Sequence, residues 1–164
     1  MDTSISRSVR ADPRRIFALA AAVEDWPRIL PHYRWVRVVD CVGAGRRIVD
    51  MAARRDITPG VGVPLHWMAL QQVLPDQRRV DFEHVWGITR GMRVAWTIEP
   101  FGGTSEVTIR HVFEPSWPAP ALLVRAIVGE YFVNSVARRT LWRIAELAEL
   151  RTNLGEFSGL TQES

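Results

Sequence analysis

The chain has 164 residues, 47% of them hydrophobic and 24% charged, with a formal net charge of +3. That is long enough for one domain with a real core, too apolar for a disordered segment, and too weakly charged to argue for a polyanionic partner. All 21 basic residues are Arg, and the pairs Arg14-Arg15, Arg46-Arg47, Arg54-Arg55, Arg78-Arg79 and Arg138-Arg139 are spread among acids, which predicts solvated faces and no nucleic-acid partner. The single cysteine, Cys41, excludes an internal disulfide and a Cys-rich metal site, and its apolar flanks predict a buried, inert thiol. The first residues carry no apolar run of signal-peptide length, and no stretch has the length and apolarity of a membrane span, so a cytoplasmic location without membrane insertion is the expectation. Seven Trp is a high number for this length; such rings suit an amphipathic pocket wall as well as plain core.

Alternation in Ser4 to Arg10 predicts a first strand. Asp12 as N-cap and Pro13 at the first helical position predict a helix whose apolar stripe is Ile16, Phe17, Leu19, Ala20 and Val23. Asp25-Trp26-Pro27 reads as a break, followed by a short helical turn from Arg28 to Leu30. From Tyr33 the period becomes two. Strands are predicted over Trp35 to Val42, Arg46 to Ile57, Gly62 to Leu74, Arg78 to Trp86, Met92 to Glu99 and Ser105 to Glu114, joined by short Gly- and Pro-containing turns into an antiparallel meander. Alternation puts Val80, Phe82, His84 and Trp86 on one face, Met92, Val94, Trp96 and Ile98 on one face, and Ser105, Val107, Ile109, His111 and Phe113 on one face. For the fourth strand Leu65, Trp67, Ala69, Gln71 and Val73 are the inward set, because that set carries Trp67. Pro118 to about Arg151 predicts one long amphipathic helix laid on the sheet; Glu130 falls within its apolar arc and Asn134 at its edge. Residues 1–151 then form a single domain, and 152–164 a polar, flexible tail.

Several stretches carry a resemblance: Asp25-Trp26-Pro27 with Leu30-Pro31, Trp67 to Phe82, the Gly91 to His111 hairpin and Asn134-Ser135-Val136-Ala137. They resemble the polyketide cyclase/dehydrase and lipid-transport family of the START/Bet v 1-like (SRPBCC) superfamily, over about Ser4 to Arg151. The resemblance implies an α+β helix-grip fold: a curved antiparallel sheet wrapped around a long C-terminal helix, with two short helices after the first strand and a ligand cavity between. It implies binding of a flat, mostly apolar small molecule, with aromatase/cyclase-type aldol closure and dehydration as the associated chemistry. Other branches of the superfamily imply a non-catalytic carrier of a lipid or quinone, and some relatives associate with ribosomes. His111 matches a position where some of the cyclases carry a histidine, and Asn134-Ser135 resembles the polar step on their long helix. Gln71 stands where those enzymes tend to carry an inward arginine, and Arg138 where some carry an acid.

His111, Glu130 and Asn134 are therefore the candidate catalytic residues, since a histidine and a carboxylate in an apolar enclosure serve as general base and acid. Trp67, Gln71, Phe82, His84, Trp86, Met92, Val94, Trp96, Ile127 and Leu141 are the candidate ligand-binding residues. The competing reading makes His84 and His111 satisfied core residues bonded to backbone, and pairs Glu130 with an Arg. His66, His84 and His111 lie on separate strands without metal-ligand spacing, so no metal and no cofactor are expected. The expected partner is an apolar or aromatic small molecule, and the chain is expected as a monomer or homodimer.

Overall fold

The computed structural model describes the backbone of residues 1–58, 61–114 and 136–159 and, within these, the side chains outside 55–63 and 151–159. Glu130, Asn134, Ile127 and the first part of the helix expected from Pro118 lie outside the described residues.

Strand β1 (Asp2–Val9) leads into helix α1 (Pro13–Ala21), a single 3-10 turn (Val23–Asp25) and helix α2 (Trp26–Ile29). Strands β2 (Tyr33–Gly43), β3 (Arg46–Thr58), β4 (Val61–Leu74), β5 (Arg79–Gly87), β6 (Met92–Phe101) and β7 (Thr104–Phe113) follow, and helix α3 (Arg138–Gly159) comes last. The seven strands form one antiparallel sheet in the order β1-β7-β6-β5-β4-β3-β2, so the meander from β2 to β7 is closed by β1 alongside β7. This is the helix-grip arrangement. β1 and β2 are the two sheet edges, and α1 and α2 carry the chain from one edge to the other.

Local chemistry accounts for the elements. The Asp12 carboxylate accepts from the Arg14 backbone N–H at 2.7 Å, and Pro13 occupies the first turn of α1, where its missing N–H costs nothing. Pro27 does the same for α2, which is why that helix starts at Trp26 and not after the proline. On α1, Ile16 and Ala20 are buried; on α3, Leu141, Ile144, Ala145 and Ala148 are buried at spacings of three and four. The helix continues past Arg151 to Gly159. The middle of α3 is tied to the N-terminal elements by Arg10 N–H to Glu149 Oε1 (3.0 Å) and Arg15 Nη2 to the Leu147 carbonyl (3.2 Å).

The inward set of β4 is as expected, with Trp67, Ala69 and Gln71 buried. Two expectations are corrected. Cys41 is exposed: β2 carries register shifts at Val38/Asp40 and at Cys41/Gly43, and beyond Val38 its residues lie outside the core. Trp86 is 52% exposed rather than inward. In the β4–β5 ladder Met68 faces Trp86 while the next residue, Ala69, faces His84. Val85 is therefore an extra residue, a bulge that turns the alternation over and sends Trp86 to the outer face. There its ring meets His66 edge-on at 5.0 Å.

Candidate functional site

Between sheet and helix the side chains enclose a small cavity of about 40 Å³. Trp26 of α2 and Tyr33 of β2 form one wall; Met51, Trp67, Phe82, His84, Val94, Trp96, Ile109 and His111 come from β3 to β7; Val136, Ala137 and Thr140 come from the described start of the helical segment. Aromatic rings line much of this space. Trp26 stands 5.2 Å from Tyr33, 6.0 Å from Phe82 and 6.1 Å from Trp96, all tilted. Trp67 stacks on His84 at 5.7 Å with 15° between planes. The Trp26 indole N–H reaches the Leu19 carbonyl at 3.1 Å, which anchors that ring to α1.

Two histidines lie near one another on the sheet side of this space. His84 is held through Nδ1 by the Thr89 hydroxyl at 2.7 Å, and Thr89 itself is fully buried in the turn between β5 and β6. Burial, and then the proximity of His111, push His84 down to about 3. His111 is 2% exposed; its Nδ1 is buried with no hydrogen-bond partner, and burial pushes it down to about 4. Both rings are thus neutral at physiological pH. Among the described residues, no carboxylate and no guanidinium lines the cavity, and no group of three His, Cys, Asp or Glu is placed to hold a metal ion.

At the helix end of the cavity the polar groups are Tyr33 and Thr140. Thr140 Oγ1 donates to the Val136 carbonyl at 2.8 Å and lies 2.9 Å from His32 Nε2. His32 is half-buried, packs on Tyr33 at 4.8 Å between ring centres, and is pushed down to about 4 by burial and by Arg139. Burial pushes the Tyr33 phenol up, with a smaller pull the other way from the neighbouring Thr140 hydroxyl.

Of the residues singled out from sequence, the structure brings Trp67, Phe82, His84, Val94, Trp96 and His111 together around the cavity. Met92 and Leu141 are fully buried in the core but do not line it. Trp86 is outside, for the reason given above. Gln71 is buried and inward, yet its amide is occupied elsewhere: Oε1 accepts from Arg47 Nε at 2.6 Å and Nε2 donates to the Ala21 carbonyl at 3.1 Å. A guanidinium does reach this level of the sheet, but it is that of Arg47, paired with Glu24 and the Ala21 carbonyl. Trp26, Tyr33, Met51, Ile109, Val136, Ala137 and Thr140 line the cavity without having been singled out for it. For Tyr33 the strand pattern misleads. A register shift between Tyr33 and Trp35 lets Tyr33 and Val36, three apart, both point inward, so simple alternation does not pair them.

The model of the polyketide cyclase/dehydrase and lipid transport family matches residues 9–145. The chain belongs to this family. It is similar to the granaticin polyketide synthase bifunctional cyclase/dehydratase of Streptomyces violaceoruber, at 28% identity over 145 residues, covering 87% of this chain and 42% of that protein. The chain thus spans less than half the length of this relative. Among solved structures, the Zhui aromatase/cyclase from Streptomyces sp. R1128 superposes with a TM-score of 0.71 at 16% identity, covering 93% of this chain and 95% of that one. A START superfamily protein from Mycobacterium smegmatis gives 0.67 at 16% identity, covering 89% and 98%. At these identities the two structures establish the shared fold. The aromatic cavity described above lies between the sheet and the described start of the helical segment.

Proposed function

We propose that this protein binds a flat, mostly apolar small molecule between its sheet and its C-terminal helix, as a relative of the polyketide cyclases. The observation that carries the reading is the buried, unpartnered Nδ1 of His111 among aromatic rings. An orphaned polar atom in such a place costs stability unless something hydrogen-bonds to it, and a ligand oxygen is the natural partner. The space of about 40 Å³ is small beside the roughly 300–1,000 Å³ of typical ligand sites. Binding of a ring system therefore requires this space to widen.

Cyclisation and dehydration, the activity in the name of the Streptomyces violaceoruber relative, would need a proton acceptor and a means of stabilising an enolate. His111, Glu130 and Asn134 remain the candidate catalytic residues, the first two for proton transfer. Yet an imidazole held near 4 is a weak base, and the position of the family's arginine is taken by Gln71, whose amide is committed to Arg47 and Ala21. These two observations favour the second reading, a carrier that holds its ligand without reacting it.

Isothermal titration calorimetry with 1-naphthol, menadione and a long-chain fatty acid tests the binding proposal. Micromolar binding of the ring compounds, lost in His111→Leu, supports it. Binding of the fatty acid alone turns the reading toward a lipid carrier, and no heat with any of the three overturns it.

A further inference from the structure

A threonine stands beside each of the two cavity histidines, with different outcomes. His84 Nδ1 and the Thr89 hydroxyl satisfy one another at 2.7 Å. For His111 the neighbour is Thr3, its directly opposed residue in the β1–β7 ladder. By alternation Thr3 shares the inner face of β1 with Ile5 and Val9, and His111 shares that of β7 with Ile109 and Phe113, so both side chains stand on the core side of the sheet. Directly opposed residues place their Cβ atoms about 4.5–5.5 Å apart. The register is pinned two residues away, where the Phe113 N–H donates to the Met1 carbonyl at 2.8 Å. Yet neither side chain uses the other. Thr3 Oγ1 and His111 Nδ1 are both buried, and both lack a hydrogen-bond partner among the described residues. One orphaned polar atom costs stability; two on a single rung point to a group that belongs between them.

We infer that Thr3 and His111 form a two-point seat for one oxygen of the ligand, on the β1 side of the cavity. His111 lines the cavity, and Thr3 extends its polar edge by one strand, on the side of β7 away from His84. The Thr3 hydroxyl donates to the oxygen. The neutral imidazole completes the seat in either tautomer: Nδ1–H donates to a carbonyl, and a bare Nδ1 accepts from a hydroxyl. The ligand class is a flat apolar ring system bearing a carbonyl or a hydroxyl. A plain hydrocarbon edge leaves both buried atoms unpaired, which is where polar selectivity is strongest. The inference rests on the proposed cavity binding and names the chemistry of its ligand.

The test titrates naphthalene, 1-naphthol and 1-tetralone calorimetrically into the wild-type protein, Thr3→Val and Thr3→Ser. Wild type is expected to bind each oxygenated probe at least about fivefold more tightly than naphthalene, as a hydrogen bond in a dry site allows. Thr3→Val keeps the branched shape without the hydroxyl, and is expected to narrow that gap to about twofold with naphthalene affinity unchanged. Thr3→Ser keeps the gap. Equal binding of all three probes by wild type, or a gap that survives in Thr3→Val, overturns the inference while leaving the cavity reading intact. Absence of binding by any probe removes both. Ligand-free Thr3→Val must melt at or above the wild-type temperature; a variant that melts several degrees lower, or does not fold, gives the hydroxyl a structural partner and refutes the seat. In nitrogen-15 spectra His111 must carry its proton on Nδ1 with 1-tetralone bound and on Nε2 with 1-naphthol bound. A ring that responds to neither probe leaves the seat to a water molecule and overturns the assignment.

Discussion

Arg47 Nε donates to Gln71 Oε1 at 2.6 Å, and both side chains also hold the Ala21 carbonyl at the end of α1. A polar residue on the inner face of the sheet thereby serves to fasten a helix end. Ala21 is the last residue of α1, so its carbonyl lacks an intrahelical partner and is satisfied by these two donors. Glu24, in the next turn, neutralises the guanidinium.

Gln71→Leu should therefore destabilise the fold by about 1–2 kcal/mol, because it leaves the partly buried Arg47 Nε–H without its acceptor and the Ala21 carbonyl with one donor fewer. Ligand affinity should stay within twofold of wild type. A urea titration checks the first statement and calorimetry the second; a large loss of affinity at unchanged stability would return Gln71 to the ligand site.

His111→Leu should act in the opposite sense on stability. Replacing a buried imidazole whose Nδ1 has no partner with a hydrocarbon of similar volume removes the cost of that orphaned atom, so the variant should be more stable by about 1–2 kcal/mol while losing ligand. Thermal melting of the ligand-free protein measures this. A melting temperature lowered by several degrees would mean that the imidazole has a structural partner in solution.

Stability should fall as pH drops below neutrality. His32, His84 and His111 are held at about 4, 3 and 4 in the folded state, below the ordinary histidine value near 6.5. The unfolded chain then binds more protons than the folded one between those limits, so stability is complete above about 6.5 and declines as pH falls through the window. The slope is up to about 1.4 kcal/mol per pH unit for each histidine. Urea midpoints at pH 7.5, 6 and 5 should decline in that order, and less steeply in a His84→Gln, His111→Leu double variant. Equal midpoints at pH 7.5 and 5 would contradict the neutral assignment.

Two tryptophans separated by one ladder should respond very differently. Trp96 is 3% exposed and lines the cavity, so Trp96→Ala should cost about 3–5 kcal/mol. Trp86→Thr, on the outer face, should cost under about 1 kcal/mol and leave ligand affinity unchanged. Deleting Val85 should be far worse than either, since it removes the bulge and points Trp86 into the core. Chemical denaturation of the three variants ranks them; Trp86→Thr as damaging as Trp96→Ala would refute the outer placement.

The order of elements, the N-cap of α1, the meander and the inward faces of β4, β6 and β7 were legible in the sequence, because each depends on local chemistry: a cap, a turn, or a period of two held over several residues. The stretches around Trp26, Trp67 and His111 were enough to point to the family. The site was legible only in part. Trp67, Phe82, His84, Val94, Trp96 and His111 meet because their strands keep regular alternation up to the cavity. Trp86, Tyr33 and Cys41 were decided by single-residue bulges, which invert or shift a strand's faces and leave no clear mark on composition. Gln71 and Thr140 were decided by partners distant in the chain: Ala21 and Arg47 take up one amide, and His32 and Val136 orient one hydroxyl. Alternation tells which side of a sheet a side chain faces. Whether its hydrogen-bonding atoms remain available to a ligand depends on what the folded chain brings against them, and only the tertiary structure decides that.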